Sequence, residues 1–519
     1  MIKTHIKNTP ALTHSTPCLI LFCLEGEKDA LLKQTDTALK GAITRAAKDK
    51  RFEAKLNQTL LIPTLGALKA EHVLLVGVGK ADDLTADRLR QAGGTAGKLA
   101  EKSRLEKIAC ALPGKKFHSP FAVGKKHSAP SALARAVAEG LLLALYHFDV
   151  YKTVDAKNGK PARVKEIIFL QTESGAANLK HARQGIERAA KTATAVWMAR
   201  DLQSHPSNKA TPTYLADTAR AIARAHRLRS RILNLADMRQ LGMGALLGVA
   251  RGSHEPAAFI VLEYSGGKKS HAPVVLVGKG VTFDTGGISL KPASGMDEMK
   301  MDMSGASAVL GALQAVADLR LPVNVVGLVP ATENMPGGSA IKPGDILKSL
   351  SGKTIEVLNT DAEGRLILCD ALTYAQRYKP RAIIDLATLT GAVITALGHH
   401  AGAILGNNAD LTRDLIAGGA ATGERLWELP LWEEYQKAVK SDIADLKNIA
   451  GPNVGAGTIV GAAFLKEFID EKTPWAHIDI AGTAWGEETP YNPKGPSGYG
   501  IRLLIHYLEN LDRPPEGGR

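Results

Sequence analysis

Short apolar, β-rich runs alternate with longer helical stretches along the whole chain, and this alternation limits the fold more than any other property of the sequence. In the first part, strands are expected at Leu19–Leu24, Thr59–Ile62, His72–Val78, Lys107–Ala111 and Glu166–Gln171. Helical patterns fall between them at Lys33–Asp49, Ala86–Lys102, Ala132–Leu145 and Leu179–Leu202. Further on, strands are expected at Ala258–Tyr264, Val274–Gly278, Val323–Val329, Ile383–Thr388 and Ala476–Ile480. Helices follow at Ser304–Leu319, Leu366–Tyr378, Val460–Phe468 and Gly500–Leu508. Such alternation is the mark of layered α/β architecture, and near-continuous apolar strands indicate a mixed sheet covered on both faces. A length of 519 residues exceeds one ordinary domain. The expectation is a small N-terminal α/β domain, 1–180, and a larger C-terminal α/β domain, 181–519, with a mixed central sheet flanked by helices. The long helical stretch ending at Asp201–Pro206 would connect them. No internal repeat or low-complexity tract is present.

Charge is divided unevenly along the chain. The whole sequence carries 65 Lys plus Arg against 52 Asp plus Glu, a formal +13. Residues 1–200 hold 33 basic and 18 acidic residues, a net +15; the remainder holds 32 and 34, a net −2. A basic N-terminal module thus precedes a nearly neutral one. The Lys-rich stretches Lys115–Lys126 and Tyr151–Lys165 read as loops. Concentrated positive charge allows a polyanion such as nucleic acid as partner, although lysines also serve solubility.

The four cysteines, Cys18, Cys23, Cys110 and Cys369, form no Cys-x-x-Cys pair and no disulfide framework. A reducing, cytoplasmic setting is expected. The apolar run Cys18–Leu24, after a basic start, reads as a buried strand rather than a signal peptide. No apolar run approaches the ~18 residues that span a membrane.

Two segments carry more chemistry than packing requires. The first is Val277-Gly-Lys-Gly-Val-Thr-Phe-Asp-Thr-Gly-Gly-Ile-Ser-Leu-Lys-Pro292, continued by Met299-Lys-Met-Asp-Met303. An apolar strand enters a Gly-rich loop holding Lys279, Asp284 and Lys291, and Asp302 follows just before a helix. Strand ends in α/β sheets are where ligands bind. The second is Asn359-Thr-Asp-Ala-Glu-Gly-Arg-Leu366. If extended, it projects Asp361, Glu363 and Arg365 to one side. Four carboxylates suffice to hold two divalent cations with bridging groups. Taken singly, the same residues have plainer readings: a turn or cap Asp, solvated lysines, methionines as core filler. The pattern alone leaves both open.

Other chemistries are missing their motifs. There is no His-Glu-x-x-His. Gly287-Ile-Ser-Leu-Lys291 lacks the second Gly of a nucleophile elbow. Gly352-Lys353-Thr354 lacks the Gly a phosphate loop needs at 347, which is Leu347. Gly77-Val-Gly79 has Asp82 where the dinucleotide fingerprint has its third Gly. His399-His400 reads as a surface pair.

The octapeptide Asn359–Leu366 resembles the signature of the leucine aminopeptidase, or cytosol aminopeptidase, family. Val277–Lys291 with Met299–Met303 matches that family's other metal-binding segment in order and spacing. The resemblance covers most of residues 180–519 and is closest to the bacterial aminopeptidase A type; the N-terminal third agrees only in placement and α/β character. It implies two divalent ions per subunit, Zn²⁺ or Mn²⁺, with Asp284 and Glu363 bridging. Lys279 and Asp302 complete one ion's shell and Asp361 the other's, so Lys279 binds as a neutral amine. Lys291 polarises the scissile carbonyl, and Arg365 holds a bicarbonate-like anion that accepts a proton. Met299, with Thr388, Leu389 and Gly391, borders the pocket for the first side chain, favouring Leu and Met. The implied reaction is removal of N-terminal residues from short peptides with a free N-terminus, by attack of a metal-bridging hydroxide. Family resemblance also implies a homohexamer and, since some similar bacterial aminopeptidases bind DNA, a DNA role through residues 1–200.

Overall fold

The structure, a computed structural model, describes residues 2–118, 128–153, 161–171, 175–451 and 453–511. The expected loops 115–126 and 151–165 lie partly outside the described residues. The chain forms two α/β units. The first comprises Met1–Thr194 with Glu488–Pro493, and the second Ala195–Glu487 with Lys494–Arg519, so the division falls inside one long helix.

In the first unit the elements run β1 (Lys3–Lys7), β2 (Thr16–Cys23), α1 (Ala30–Ala38), α2 (Ala42–Lys48), β3 (Thr59–Pro63), β4 (Ala70–Gly77) and α3 (Ala86–Lys102). They continue with β5 (Lys107–Ala111), α4 (Ala129–Ala144), β6 (Glu166–Leu170) and α5 (Ala176–Ser204). The six-stranded sheet has the order β1-β6-β5-β2-β4-β3. Only the β3–β4 pair is antiparallel. Strand β2 is buried almost throughout, which is why its sequence is an unbroken apolar run rather than an alternating one. Leu19, Leu21, Val73, Leu75 and Ile168 form one core beneath it.

Two expectations differ here. The single helix Lys33–Asp49 is two helices, because Lys40 and Gly41 both take positive φ, 52° and 81°, and break the hydrogen-bond ladder. Strand β1 was not foreseen; its exposed edge residues Lys3, His5 and Lys7 alternate with half-buried ones, so its mean hydropathy is low.

The second unit begins with α6 (Pro212–His226), β7 (Arg229–Leu233), α7 (Leu235–Leu241), α8 (Gly244–Ala250), β8 (Ala258–Ser265), β9 (Val274–Gly278) and β10 (Gly280–Asp284). A 3-10 segment, Met296–Met303, leads into α9 (Ser304–Leu319). Then come β11 (Asn324–Asn334), β12 (Ile346–Lys348), β13 (Thr354–Glu356), α10 (Gly364–Ala375), β14 (Ala382–Ala387), α11 (Gly391–Leu397), β15 (Gly402–Gly406) and α12 (Ala409–Thr422). The unit closes with β16 (Leu426–Glu428), α13 (Glu433–Lys437), β17 (Leu446–Lys447), α14 (Gly457–Lys466), β18 (Trp475–Asp479) and α15 (Ile501–Asn510).

Its main sheet runs β16-β15-β18-β14-β9-β11-β8-β7, with β10 added beside β11. Strands β18, β14, β9, β11 and β10 are mutually parallel. Val275, Val277, Leu328 and Ile383 are fully buried at its centre. Each such side chain contributes roughly 1.5–3 kcal/mol by leaving water. The apolar runs stop together, and polar residues begin at the same end of the sheet. Lys279 follows β9, Asp284 ends β10, Asn334 ends β11, Thr388 follows β14 and Asp479 ends β18. Among the described residues no helix is long and apolar enough to cross a membrane.

Candidate metal centre

The octapeptide is not extended. Asn359 to Glu363 form a turn that opens α10, and Arg365 lies in that helix's first turn. A turn converges Asp361 and Glu363 more tightly than a strand does, while it sends Arg365 to a separate position. Oxygens of Asp284, Asp361 and Glu363 lie within 4.8 Å of one another. Asp302 joins them through Lys279, whose Nζ is 2.8 Å from both Asp302 Oδ2 and Glu363 Oε1 and donates to the Thr388 carbonyl at 2.9 Å. Lys291 Nζ is 2.8 Å from Asp284 Oδ2 and also pairs with Asp361. Six of the expected residues are thus one interlocked cluster of four carboxylates and two ammonium groups.

Burial raises the Asp302, Asp361 and Glu363 carboxyls above the usual carboxylate range, with neighbouring carboxylates adding to the effect and the lysines opposing it. For Lys279, burial pulls its pKa down, yet Asp302, Glu363 and Asp284 outweigh it and hold the ammonium above its ordinary value. Lys291 follows the same balance, with Asp284 the main partner. Without a metal the lysines are therefore the counter-ions.

The donor set fits a divalent cation. Asp302 Oδ2, Asp361 Oδ1 and Glu363 Oε1 are buried oxygens that, among the described residues, are met only by the ammonium groups of Lys279 and Lys291. Hard, anionic oxygen ligands crowded in this way suit a divalent cation.

Local sequence explains the shape. Gly286 has φ +85°, and a Cβ there would lie 2.8 Å from Asp361 Oδ1 and 2.4 Å from the Ser289 carbonyl. Only glycine lets the Asp284 loop pass this close to the octapeptide.

Chain length and fold are both matched by known proteins. Residues 197–505 match the cytosol aminopeptidase family catalytic domain, and residues 20–155 match that family's N-terminal domain. A probable cytosol aminopeptidase of Geobacter sp. (strain M21) is 51% identical over 98% of this chain and 99% of its own length.

The chain belongs to the cytosol aminopeptidase family.

It is accordingly a metal-dependent exopeptidase. Another relative, the probable cytosol aminopeptidase of Geobacter sulfurreducens, is 49% identical over 95% of this chain and 97% of its own. Among solved structures, a tomato leucine aminopeptidase mutant aligns with TM-score 0.86 and 33% identity, covering 98% of this chain and 97% of that one. The bottromycin maturation enzyme BotP, in complex with Mn, aligns with TM-score 0.82 and 33% identity, covering 96% and 100%.

The remaining expected residues of this aminopeptidase are placed as follows. Thr388 is buried and donates its hydroxyl to Asp302 Oδ1 at 2.7 Å. Leu389 is half-buried, and its N–H donates to Asp479 Oδ1 at 3.1 Å. Gly391 is exposed at the start of α11, and Met299 is half-buried on the 3-10 segment that also carries Asp302. Arg365 is buried and stands apart from the cluster. Its Nη1 donates to the Asn448 carbonyl at 2.6 Å, and its Nε has no partner. Burial lowers its pKa to about 10. It also lines a cavity of about 620 Å³ bordered by Ala392, Thr395, Leu429, Ile449 and Thr458. His399 and His400 are exposed, and His399 Nδ1 meets the Gly482 carbonyl at 2.7 Å.

Three supporting residues escaped the sequence reading. Asn448 grips the octapeptide, accepting from Leu358 N at 2.8 Å and donating to the Asn359 carbonyl at 2.6 Å. Asp479 accepts from Leu389 N–H, Ala481 N–H and the Thr390 hydroxyl, and so fixes the loop after β14. Asn334 bridges the two metal segments. Asn334 and Asp479 end apolar strands, a signal that could have found them; Asn448 follows a strand of only two residues and has no such signal.

Proposed function

We propose that Asp284 and Glu363 would bridge two divalent cations, with Lys279 and Asp302 completing one shell and Asp361 the other, within a C-terminal catalytic domain spanning 181–519. The observation that carries this reading is the convergence of Asp284, Asp361 and Glu363 oxygens within 4.8 Å of one another, with buried Asp302 tied to them through Lys279. When bound, such a pair of cations supplies Lewis acidity and a water acidic enough to attack a peptide near neutral pH. The chain's own groups do the rest. Lys279 must release the proton on Nζ to offer its lone pair, which two adjacent cations and complete burial favour. Lys291, 21% exposed at its side chain, keeps its ammonium at the rim, where it polarises the carbonyl under attack. Arg365, with Nε unpartnered and its guanidinium on the cavity, suits a bicarbonate-like anion that accepts a proton.

A free α-amine on the substrate would be drawn to the cluster, which restricts cleavage to the first residue of short peptides. Half-buried Met299 and Leu389, with Thr388 and Gly391, border the first side chain and favour Leu and Met. A panel of aminoacyl amides tests this preference: equal kcat/KM for leucyl and aspartyl amides would remove it.

A second role, DNA binding, is supported by the net +15 of residues 1–200, since phosphate neutralisation by Lys and Arg drives such binding. A salt-sensitive gel shift that survives Glu363→Ala supports it; no shift at low salt removes it. A homohexamer in the cytoplasm completes the reading, and the assembly is tested by sedimentation.

A further inference from the structure

Asn334 is 2% exposed at the end of β11, opposite Asp284 in the parallel β10–β11 register. The register slips between Val281 and Asp284, an irregularity of the kind that re-aims side chains beside active sites. Asn334 Nδ2 donates to Asp284 Oδ1 at 2.8 Å and to the Thr360 carbonyl at 3.0 Å. Its main-chain carbonyl accepts from Thr285 N at 3.0 Å and Thr285 Oγ1 at 2.8 Å. One amide therefore ties the loop bearing Asp284 to the turn bearing Asp361 and Glu363. Gly286 N–H is a second donor to Asp284 Oδ1, at 2.9 Å. With Oδ1 held by two N–H groups, Oδ2 is the oxygen turned to the cluster, 2.8 Å from Lys291 Nζ.

We infer that Asn334 is a positioning residue for the metal centre. It sets the carboxylate plane of Asp284 so that Oδ2 faces the cations, and it holds Thr360 so that Asp361 and Glu363 converge on them. The inference rests on the ligand set proposed above. Aspartate at 334 would keep the shape but turn an acceptor toward two acceptors, Asp284 Oδ1 and the Thr360 carbonyl. Loss of such outer partners typically weakens metal affinity about 10–100-fold.

The test is Mn²⁺ titration of the full-length apo protein carrying Asn334→Asp, read by electron paramagnetic resonance of unbound Mn²⁺. Thermal unfolding and Mn²⁺-dependent hydrolysis of a leucyl amide are measured alongside. The expected result is a cooperatively folded apo variant whose Mn²⁺ affinity falls about 10–100-fold. Half-maximal activity then shifts to higher Mn²⁺ by a similar factor, and most of kcat returns at saturation. Asn334→Ser, which removes the amide differently, is measured in parallel. Wild-type Mn²⁺ affinity in either folded variant overturns the inference. Unfolding of both also overturns it, since Asn334 would then be holding the fold rather than the ligand. Glu363→Gln separates the two levels: if that variant binds Mn²⁺ like the wild type, the ligand set itself is wrong.

Discussion

Gly364 lies directly against the side chain of Lys279: a methyl group at 364 would be 2.6 Å from Lys279 Cε and 2.8 Å from Nζ. The first residue of α10 and the lysine after β9 share one space. Gly364→Ala must displace the amine from Asp302 and Glu363. Displacement of about 1 Å costs on the order of 100-fold in rate. The expected outcome is a folded protein with kcat/KM for a leucyl amide reduced by about that factor. An unimpaired Gly364→Ala enzyme would show that the Lys279 position is not critical.

Metal removal should abolish activity without unfolding the protein. Lys279 and Lys291 are paired with the four carboxylates, so half of the negative charge in the emptied centre stays offset. Chelation is expected to stop hydrolysis while circular dichroism and cooperative unfolding persist, and Zn²⁺ or Mn²⁺ should restore turnover. Full activity after chelation contradicts the metal reading. Glu363→Ala should lose both metal and activity, and a two-metal active variant would refute its bridging role.

Lys291 pairs with Asp284 and Asp361 but is the more exposed of the two lysines. Lys291→Ala is expected to lower kcat about 100- to 1,000-fold, the range for removing one oxyanion donor, with Mn²⁺ still bound. Loss of metal binding in Lys291→Ala would instead place it among the groups that hold the ions.

Asp370 offers a pH prediction away from the cluster. It is fully buried in α10 and accepts from Leu246 N at 2.9 Å, in the first turn of α8, and from Leu350 N at 2.7 Å. Burial raises its pKa from the model-compound value of 3.8 to about 7, against the opposing pull of those N–H groups. The native state therefore binds its proton more tightly than the unfolded chain does. Its favourable contribution is complete below pH 4 and is lost as pH rises toward 7. In urea denaturation, Asp370→Asn should show a smaller loss of stability between pH 5 and pH 8 than the wild type. Parallel pH profiles would exclude Asp370 as the titrating group.

Much of the architecture was legible because apolar strands buried on both faces write themselves as unbroken runs. β5, β9, α3 and α9 lie where that pattern puts them. The Lys33–Asp49 helix was misjudged because two positive-φ residues interrupt an otherwise helical composition. The Asp-x-Glu-x-Arg spacing of the octapeptide would put all three side chains on one side only in a strand, whereas Glu363 already has near-helical angles, φ −80° and ψ −32°.

Residue types and their order along the chain were enough to reveal two α/β domains, a basic N-terminal module and the acidic and basic side chains of the centre. Side-chain chemistry is local and is carried by the sequence itself. Tertiary structure alone decided which carboxylate oxygens converge, why Arg365 stands apart from Asp361 and Glu363, and that Asn334, Asn448 and Asp479 support the site. Those facts depend on strands distant in the chain ending side by side, and on the burial that makes each donor and acceptor there need a partner.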